Sequence, residues 1–159
     1  MTSARVPLRR VARIVNGGTP KPDEIYWGGD VAWCTPADLG KVDGGVILAT
    51  DRTLTSQGLA EGSSVVPAQS LVVSTRAPIG YVARTVSPMA FNQGCKGLVL
   101  SEVVDVRYLQ HWLWASRSQL QSEGTGSTFM ELGNESLLAC VFHADVLDTG
   151  RECTEVPVL

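Results

Sequence analysis

The chain has 159 residues, 44% of them hydrophobic and 18% charged, with a mean hydropathy of +0.09. That is the size of one ordinary domain, with enough apolar surface to fold alone, too little charge for disorder and no room for a separate catalytic lobe. No apolar run reaches the ~18 residues of a membrane helix, and the opening Met1-Thr2-Ser3-Ala4-Arg5-Val6-Pro7 lacks the apolar stretch of a signal peptide, so the expected location is the cytoplasm.

In chain order, Val6, Leu8, Val11, Ile14 and Val15 alternate with Arg9, Arg10 and Arg13, between Pro7 and Gly17, a spacing that predicts a short amphipathic helix over Val6 to Val15. Gly17-Gly18-Thr19-Pro20-Lys21-Pro22 breaks regular structure and reads as a loop. Val31-Ala32-Trp33 reads as a strand, and Thr35-Pro36-Ala37-Asp38-Leu39 as a one-turn helix in which Thr35 caps and Pro36 takes the first position. Val46 to Ala49 gives another short strand and Thr55 to Leu59 another helical turn.

The β signal is strongest from Ser70 onward. Leu71-Val72-Val73-Ser74 and Tyr81 to Val86 flank a turn at Arg76-Ala77-Pro78-Ile79-Gly80 and predict a hairpin. Met89-Ala90-Phe91 and Gly97-Leu98-Val99-Leu100 are short strands on either side of a break at Asn92-Gln93-Gly94. Asp105 caps the longest predicted element, a helix with Val106, Leu109, Trp112, Leu113 and Leu120 at helical spacing. Ser122 to Ser127 is a Gly-rich loop, Asn134 to Leu138 a last short helix, and Asp148 to Leu159 shows no period and is expected to be poorly ordered.

The net charge of −3 conceals a split. Residues 1–100 carry ten Lys or Arg against seven Asp or Glu, whereas the remainder carries three against nine. A mildly basic body with an acidic end is compatible with one face turned toward nucleic acid. Cys34, Cys95, Cys140 and Cys153 form no Cys-x-x-Cys pair and are expected to be buried free thiols.

The residues for catalysis are not assembled in the sequence. His111 and His143 have no nucleophile elbow near them, and Gly124-Thr125-Gly126-Ser127-Thr128-Phe129 lacks the later glycine and the preceding strand of a phosphate loop. Asp23, Glu24 and Asp30 read as a solvated loop rather than a metal site. The expectation is therefore no catalytic residue, no metal, no cofactor, and a binding domain. Its candidate DNA contacts lie in the breaks between strands: Thr19, Lys21, Thr35, Asp38, Arg76, Asn92, Gln93 and Lys96. Arg and Lys pair with guanine edges, Asn and Gln with adenine, Thr with either, and all of them also serve phosphates.

Seven stretches in fixed order carry a resemblance. They are Gly18-Thr19-Pro20, Tyr26-Trp27-Gly28-Gly29-Asp30-Val31-Ala32-Trp33, Thr35-Pro36-Ala37-Asp38-Leu39, Leu54-Thr55-Ser56-Gln57-Gly58-Leu59, Thr75-Arg76-Ala77-Pro78-Ile79-Gly80, Asn92-Gln93-Gly94-Cys95-Lys96 and Gly126-Ser127-Thr128-Phe129-Met130-Glu131-Leu132. Together they resemble the target recognition domain of specificity subunits from type I restriction-modification systems. The resemblance implies an α/β (α+β) fold, a mostly antiparallel curved sheet with flanking helices, that reads one half of a split double-stranded DNA target. Separate methyltransferase and restriction subunits then carry out the chemistry. It also implies that shared motif residues such as Trp33, Pro78, Gly80 and Gly94 build the scaffold.

On this reading residues 1–140 are the recognition domain and residues 141–159 an atypical C-terminal tail from which the family's spacer helix is missing. The expected protein is a half-length or truncated specificity subunit, with docking of the methyltransferase in question. The alternative is a degenerate or interaction-only protein that keeps the fold without useful DNA affinity.

Overall fold

In the computed structural model, which describes residues 2–76, 78–128 and 130–146, the chain forms strands β1 (Thr2–Pro7), β2 (Ala12–Asn16) and β3 (Trp27–Cys34), helix α1 (Pro36–Lys41), and strands β4 (Val46–Ile47) and β5 (Arg52–Leu54). Helix α2 (Ser56–Gly62) leads into β6 (Ser64–Val66), β7 (Leu71–Ser74), β8 (Val82–Thr85), β9 (Met89–Phe91) and β10 (Cys95–Leu100). Helices α3 (Val106–Ala115), α4 (Arg117–Ser122) and α5 (Asn134–Ala139) precede β11 (Val141–Val146). The strands fall into a five-stranded sheet of order β2-β10-β7-β8-β4, a four-stranded sheet of order β5-β3-β9-β6, and the pair β1-β11. Pairing is antiparallel except at β3–β9 and β4–β8.

The expected hairpin is β7–β8, and it forms the middle of the larger sheet. All four residues of β7 are buried, which is what a strand covered on both faces requires. Successive side chains point to opposite faces, so Leu71 and Val73 join Val82, Leu98, Leu109, Leu113, Leu120, Leu137 and Phe142 on the helical side. Val72 joins Ala83, Cys95, Cys34, Val66, Met89 and Phe91 between the two sheets. A third, smaller cluster of Trp33, Leu54 and Ala90, flanked by Trp27, Val31 and Leu59, lies on the outer face of the four-stranded sheet.

The sheets meet at a glycine. A Cβ on Gly97 of β10 would lie 2.5 Å from Val66 Cγ1 and 2.7 Å from Phe91 Cζ, so a side chain here wedges the layers apart. On the opposite face the helices are clamped to the hairpin turn. Arg117 pairs with Asp43 and donates from Nε to the Gly80 carbonyl at 3.2 Å, while Asp43 Oδ1 accepts from the Val82 amide at 3.1 Å. Gly80 has φ +102°, and its open face accommodates the Arg117 stem.

Helix α1 begins as its sequence predicts, with Pro36 in the first turn and a reciprocal capping box. Asp38 Oδ2 accepts from the Thr35 amide (2.9 Å) and hydroxyl (2.7 Å), and Oδ1 accepts from the Asp51 amide at 2.9 Å. Asp38 is 3% exposed, so its carboxylate is spent on the backbone. Asp38, one of the expected DNA contacts, is thus buried under the start of α1, with Thr35 as its structural partner.

Two expectations of secondary structure change. The helix expected over Val6 to Val15 is instead the end of β1, a 3-10 turn at Leu8–Arg10 and strand β2. Pairing with β10 supplies hydrogen bonds for β2, and Ile14 and Val15 pack into different clusters, as only a strand permits. The long helix after Asp105 is capped as predicted but breaks at Ser116 into α3 and α4. Residues 141–146, expected to be tail, form β11 and pair with β1. The expected disorder of Asp148 to Leu159 lies outside the described residues, as does Cys153.

Two outcomes follow for stability. Gly97→Ala overpacks the contact between the sheets and costs about 1–3 kcal/mol, which urea unfolding reads as a lower midpoint. Asp38→Ala strands two backbone amides and the Thr35 hydroxyl and costs about 1–3 kcal/mol in the same assay.

Candidate nucleic-acid interface

Loops from both larger sheets converge where β9 turns into β10. Gly18 donates its amide to the Phe91 carbonyl at 2.9 Å, Asn92 donates to the Cys34 carbonyl at 2.9 Å, and Thr75 donates to the Gly94 carbonyl at 2.9 Å. The turn is closed locally by Asn92 Oδ1, which accepts from the Gly94 amide at 3.0 Å. The loop after β2, the start of α1, the end of β7 and the turn at residues 92–94 therefore share one rim.

Side chains cross that rim. Thr19 donates its hydroxyl to Gln93 Oε1, and Arg76 Nη2 donates to the Gln93 carbonyl at 3.3 Å. Lys96 Nζ donates to Asn16 Oδ1 at 2.9 Å, across the register pair that joins β10 to β2. Thr19, Arg76, Asn92, Gln93 and Lys96 are thus brought together from the sequence set. Gln93 and Thr19 are exposed, while Arg76 and Lys96 are half-buried.

The remaining three are placed differently. Lys21 is held by Glu61, which accepts from its backbone amide at 3.1 Å and faces its ammonium at 3.5 Å. Thr35 and Asp38 form the capping box beneath the rim, where Pro36 Cγ would lie 3.2 Å from a Cβ on Gly94.

Two rim residues escape sequence reasoning. Asn16 sits at the end of what the sequence presents as a helix, and Glu131 lies in a stretch that carries no periodic signal. Glu131 Oε1 is 3.5 Å from Arg76 Nη2, with both side chains about two-fifths exposed (42% and 41%). Backbone bonds hold it there, because Thr125 and Glu131 exchange two at 2.9 Å and Leu132 donates to the Thr75 carbonyl at 2.8 Å. The Gly-rich loop thus serves as a brace against the hairpin turn, with Gly124 close to Ile79.

Among the described residues no group of three or more His, Cys, Asp or Glu side chains converges as a metal site. Cys34, Cys95 and Cys140 are free and buried. A hydrogen bond with Cys95, then burial, then the nearby charge of Asp38 push the Cys34 thiol far above its usual range, so it stays protonated. Burial raises the Cys140 thiol as well. Cys34 and Cys140 are therefore not poised as thiolates. His111 lies on the exposed side of α3, and His143 on β11, where its carbonyl accepts from the Tyr108 hydroxyl. No described helix is long and apolar enough to cross a membrane.

Comparison with known proteins gives a consistent result. The chain is 32% identical over 135 residues to the type I restriction enzyme MjaIX specificity subunit of Methanocaldococcus jannaschii, covering 82% of this chain and 31% of that protein. It is 28% identical over 130 residues to the EcoprrI specificity subunit of Escherichia coli, covering 78% and 32%. The chain spans about a third of the length of these relatives. Its fold resembles the crystal structure of the HsdS subunit from Thermoanaerobacter tengcongensis, with a TM-score of 0.69 at 17% identity over 89% of this chain and 32% of that one. It also resembles the type I restriction-modification S subunit from M. genitalium, with a TM-score of 0.62 at 13% identity over 91% and 34%. A family described as "Type I restriction modification DNA specificity domain" matches residues 3–140, which contain every rim residue described above, and the chain belongs to that family.

Proposed function

We propose that this domain binds double-stranded DNA through the rim formed by Asn16, Thr19, Arg76, Asn92, Gln93 and Lys96. In this role it reads one half of a split target as the recognition element of a specificity subunit. Methyltransferase and restriction subunits would supply the chemistry. The observation that carries this reading is the convergence of donors and acceptors from three separate segments, residues 16–19, 76 and 92–96, at one end of the sheets, where backbone bonds fix their positions. Amide and hydroxyl groups there match base edges, and the two cations match phosphates.

The rim is partly self-neutralised. Glu131 occupies Arg76 Nη2, while the other donors of that guanidinium have no partner among the described residues. An incoming phosphate competes with Glu131 for the same cation. Binding is therefore expected to be weak at high salt and to strengthen as salt is lowered, with log K falling against log salt by about 0.9 per phosphate neutralised.

Titration of labelled random and bacterial-sequence duplexes at several salt concentrations tests the reading. Arg76→Ala and Lys96→Ala should each weaken binding several-fold and reduce the salt slope by about one. Glu131→Gln moves in the opposite direction, raising affinity about two- to five-fold, the size of an exposed ion pair. Absent or salt-insensitive binding by the unsubstituted chain refutes the proposal and leaves a fold retained without useful DNA affinity.

A further inference from the structure

A second cationic position lies on the outer face of the four-stranded sheet, outside the sequence-predicted set. The guanidinium carbon of Arg52 is 3.5 Å from the centroid of the Trp27 ring and 5.5 Å from that of Trp33. The two indoles meet edge to face at 4.9 Å. Six residues of extended strand would separate them by about 20 Å. They touch because β3 bulges: Trp27 and Val31 both pair with Leu54 of β5, and Gly28-Gly29-Asp30 loops out between them.

Glycine is required in that bulge. Gly28 has φ +82°, and a Cβ on Gly29 would lie 2.6 Å from the Leu54 carbonyl oxygen. The bulge therefore assembles an aromatic seat from a sequence that carries the two rings far apart. Register then delivers Arg52 to it, because Arg52 pairs with Trp33.

The seat is joined to the rim. Trp33 Nε1 donates to the Gly18 carbonyl at 3.0 Å, and Trp27 Nε1 donates to the Lys21 carbonyl at 2.9 Å. Both tryptophans thus hold the loop that presents Thr19 to Gln93. Arg52, like Lys96 on the rim, differs from the three carboxylate-paired cations Lys21, Lys41 and Arg76. Lys21 pairs with Glu61, Lys41 with Asp51 and Arg76 with Glu131, whereas no carboxylate among the described residues pairs with Arg52. Its sequence neighbour Asp51 is neutralised by Lys41 at 2.6 Å.

An exposed arginine ordinarily samples many rotamers. Stacking fixes the plane of this one while leaving its N–H edges in solvent. We infer that Arg52, seated on Trp27, contacts a DNA backbone phosphate and extends the binding surface from the rim across the four-stranded sheet. The inference rests on the DNA-binding reading above and assigns one more contact to it. A phosphate rather than a base is the partner because Arg52 lies on an edge strand and the carboxylate next to it in sequence, Asp51, is already engaged by Lys41, so the position offers a charge rather than a paired set of base-reading groups.

The test is anisotropy titration of the 159-residue chain with duplexes of several unrelated sequences across a salt series, comparing Arg52→Ala and Arg52→Lys. Arg52→Ala should lower affinity about five- to tenfold on every sequence and reduce the salt slope by about one, with an unchanged melting profile. Arg52→Lys should restore the slope, because the charge returns, but only part of the affinity, because an ammonium is not held flat on the ring. If the unsubstituted chain binds and Arg52→Ala binds equally well, this inference fails while the rim reading stands. A loss confined to one sequence, or one with an unaltered slope, overturns the phosphate assignment. If the unsubstituted chain binds no DNA, both readings fall together.

Discussion

Between Phe91, the last residue of β9, and Cys95, the first of β10, the backbone leaves the smaller sheet and enters the larger one, and its main chain is held from several directions at once. Phe91 O accepts from Gly18 N and from the Ser63 hydroxyl, Asn92 N reaches Cys34, and Gly94 O accepts from Thr75. The crossing fixes the spacing of the sheets and hence the packing of Phe91 against Gly97. It also gathers the loops that bear Thr19, Arg76 and Gln93. If the crossing shifts, core and surface shift together, because the same peptide groups serve both.

That coupling explains why the polar groups of the rim are mostly engaged with one another. Loops with free backbone groups would move, and a moving loop pays orientational entropy whenever it meets a ligand. Here Gln93 is bound by its neighbours through both side chain and carbonyl, and Asn92 closes its own turn. Recognition by such a surface exchanges internal hydrogen bonds for external ones, with little rearrangement of backbone.

Local chemistry was readable in the sequence wherever one short segment decided the outcome. The Pro/Gly turn gave the β7–β8 hairpin, Thr35-Pro36 gave the start of α1, and Asp105 gave the start of α3. Where distant partners decide, the pattern misled. Val11, Ile14 and Val15 mimic a helical stripe, yet β-branched residues suit a strand equally well, and β10 was there to pair with them. The burial of Asp38 was not legible because one of its backbone partners, Asp51, lies 13 residues away. Arg52 was invisible as a site because its ring partners are aligned only after the Gly28-Gly29-Asp30 bulge forms. That bulge also gives a physical sense to the spacing of the two tryptophans, which the sequence showed only as a motif.

The pairing of β1 with β11 sets residues 2–7 alongside residues 141–146. A folding unit whose entry and exit strands zip together is held to its surroundings at a single stem. Such a unit can be grafted into, swapped between or repeated along longer polypeptides without straining the host, since the gap it must bridge is one strand spacing of about 5 Å.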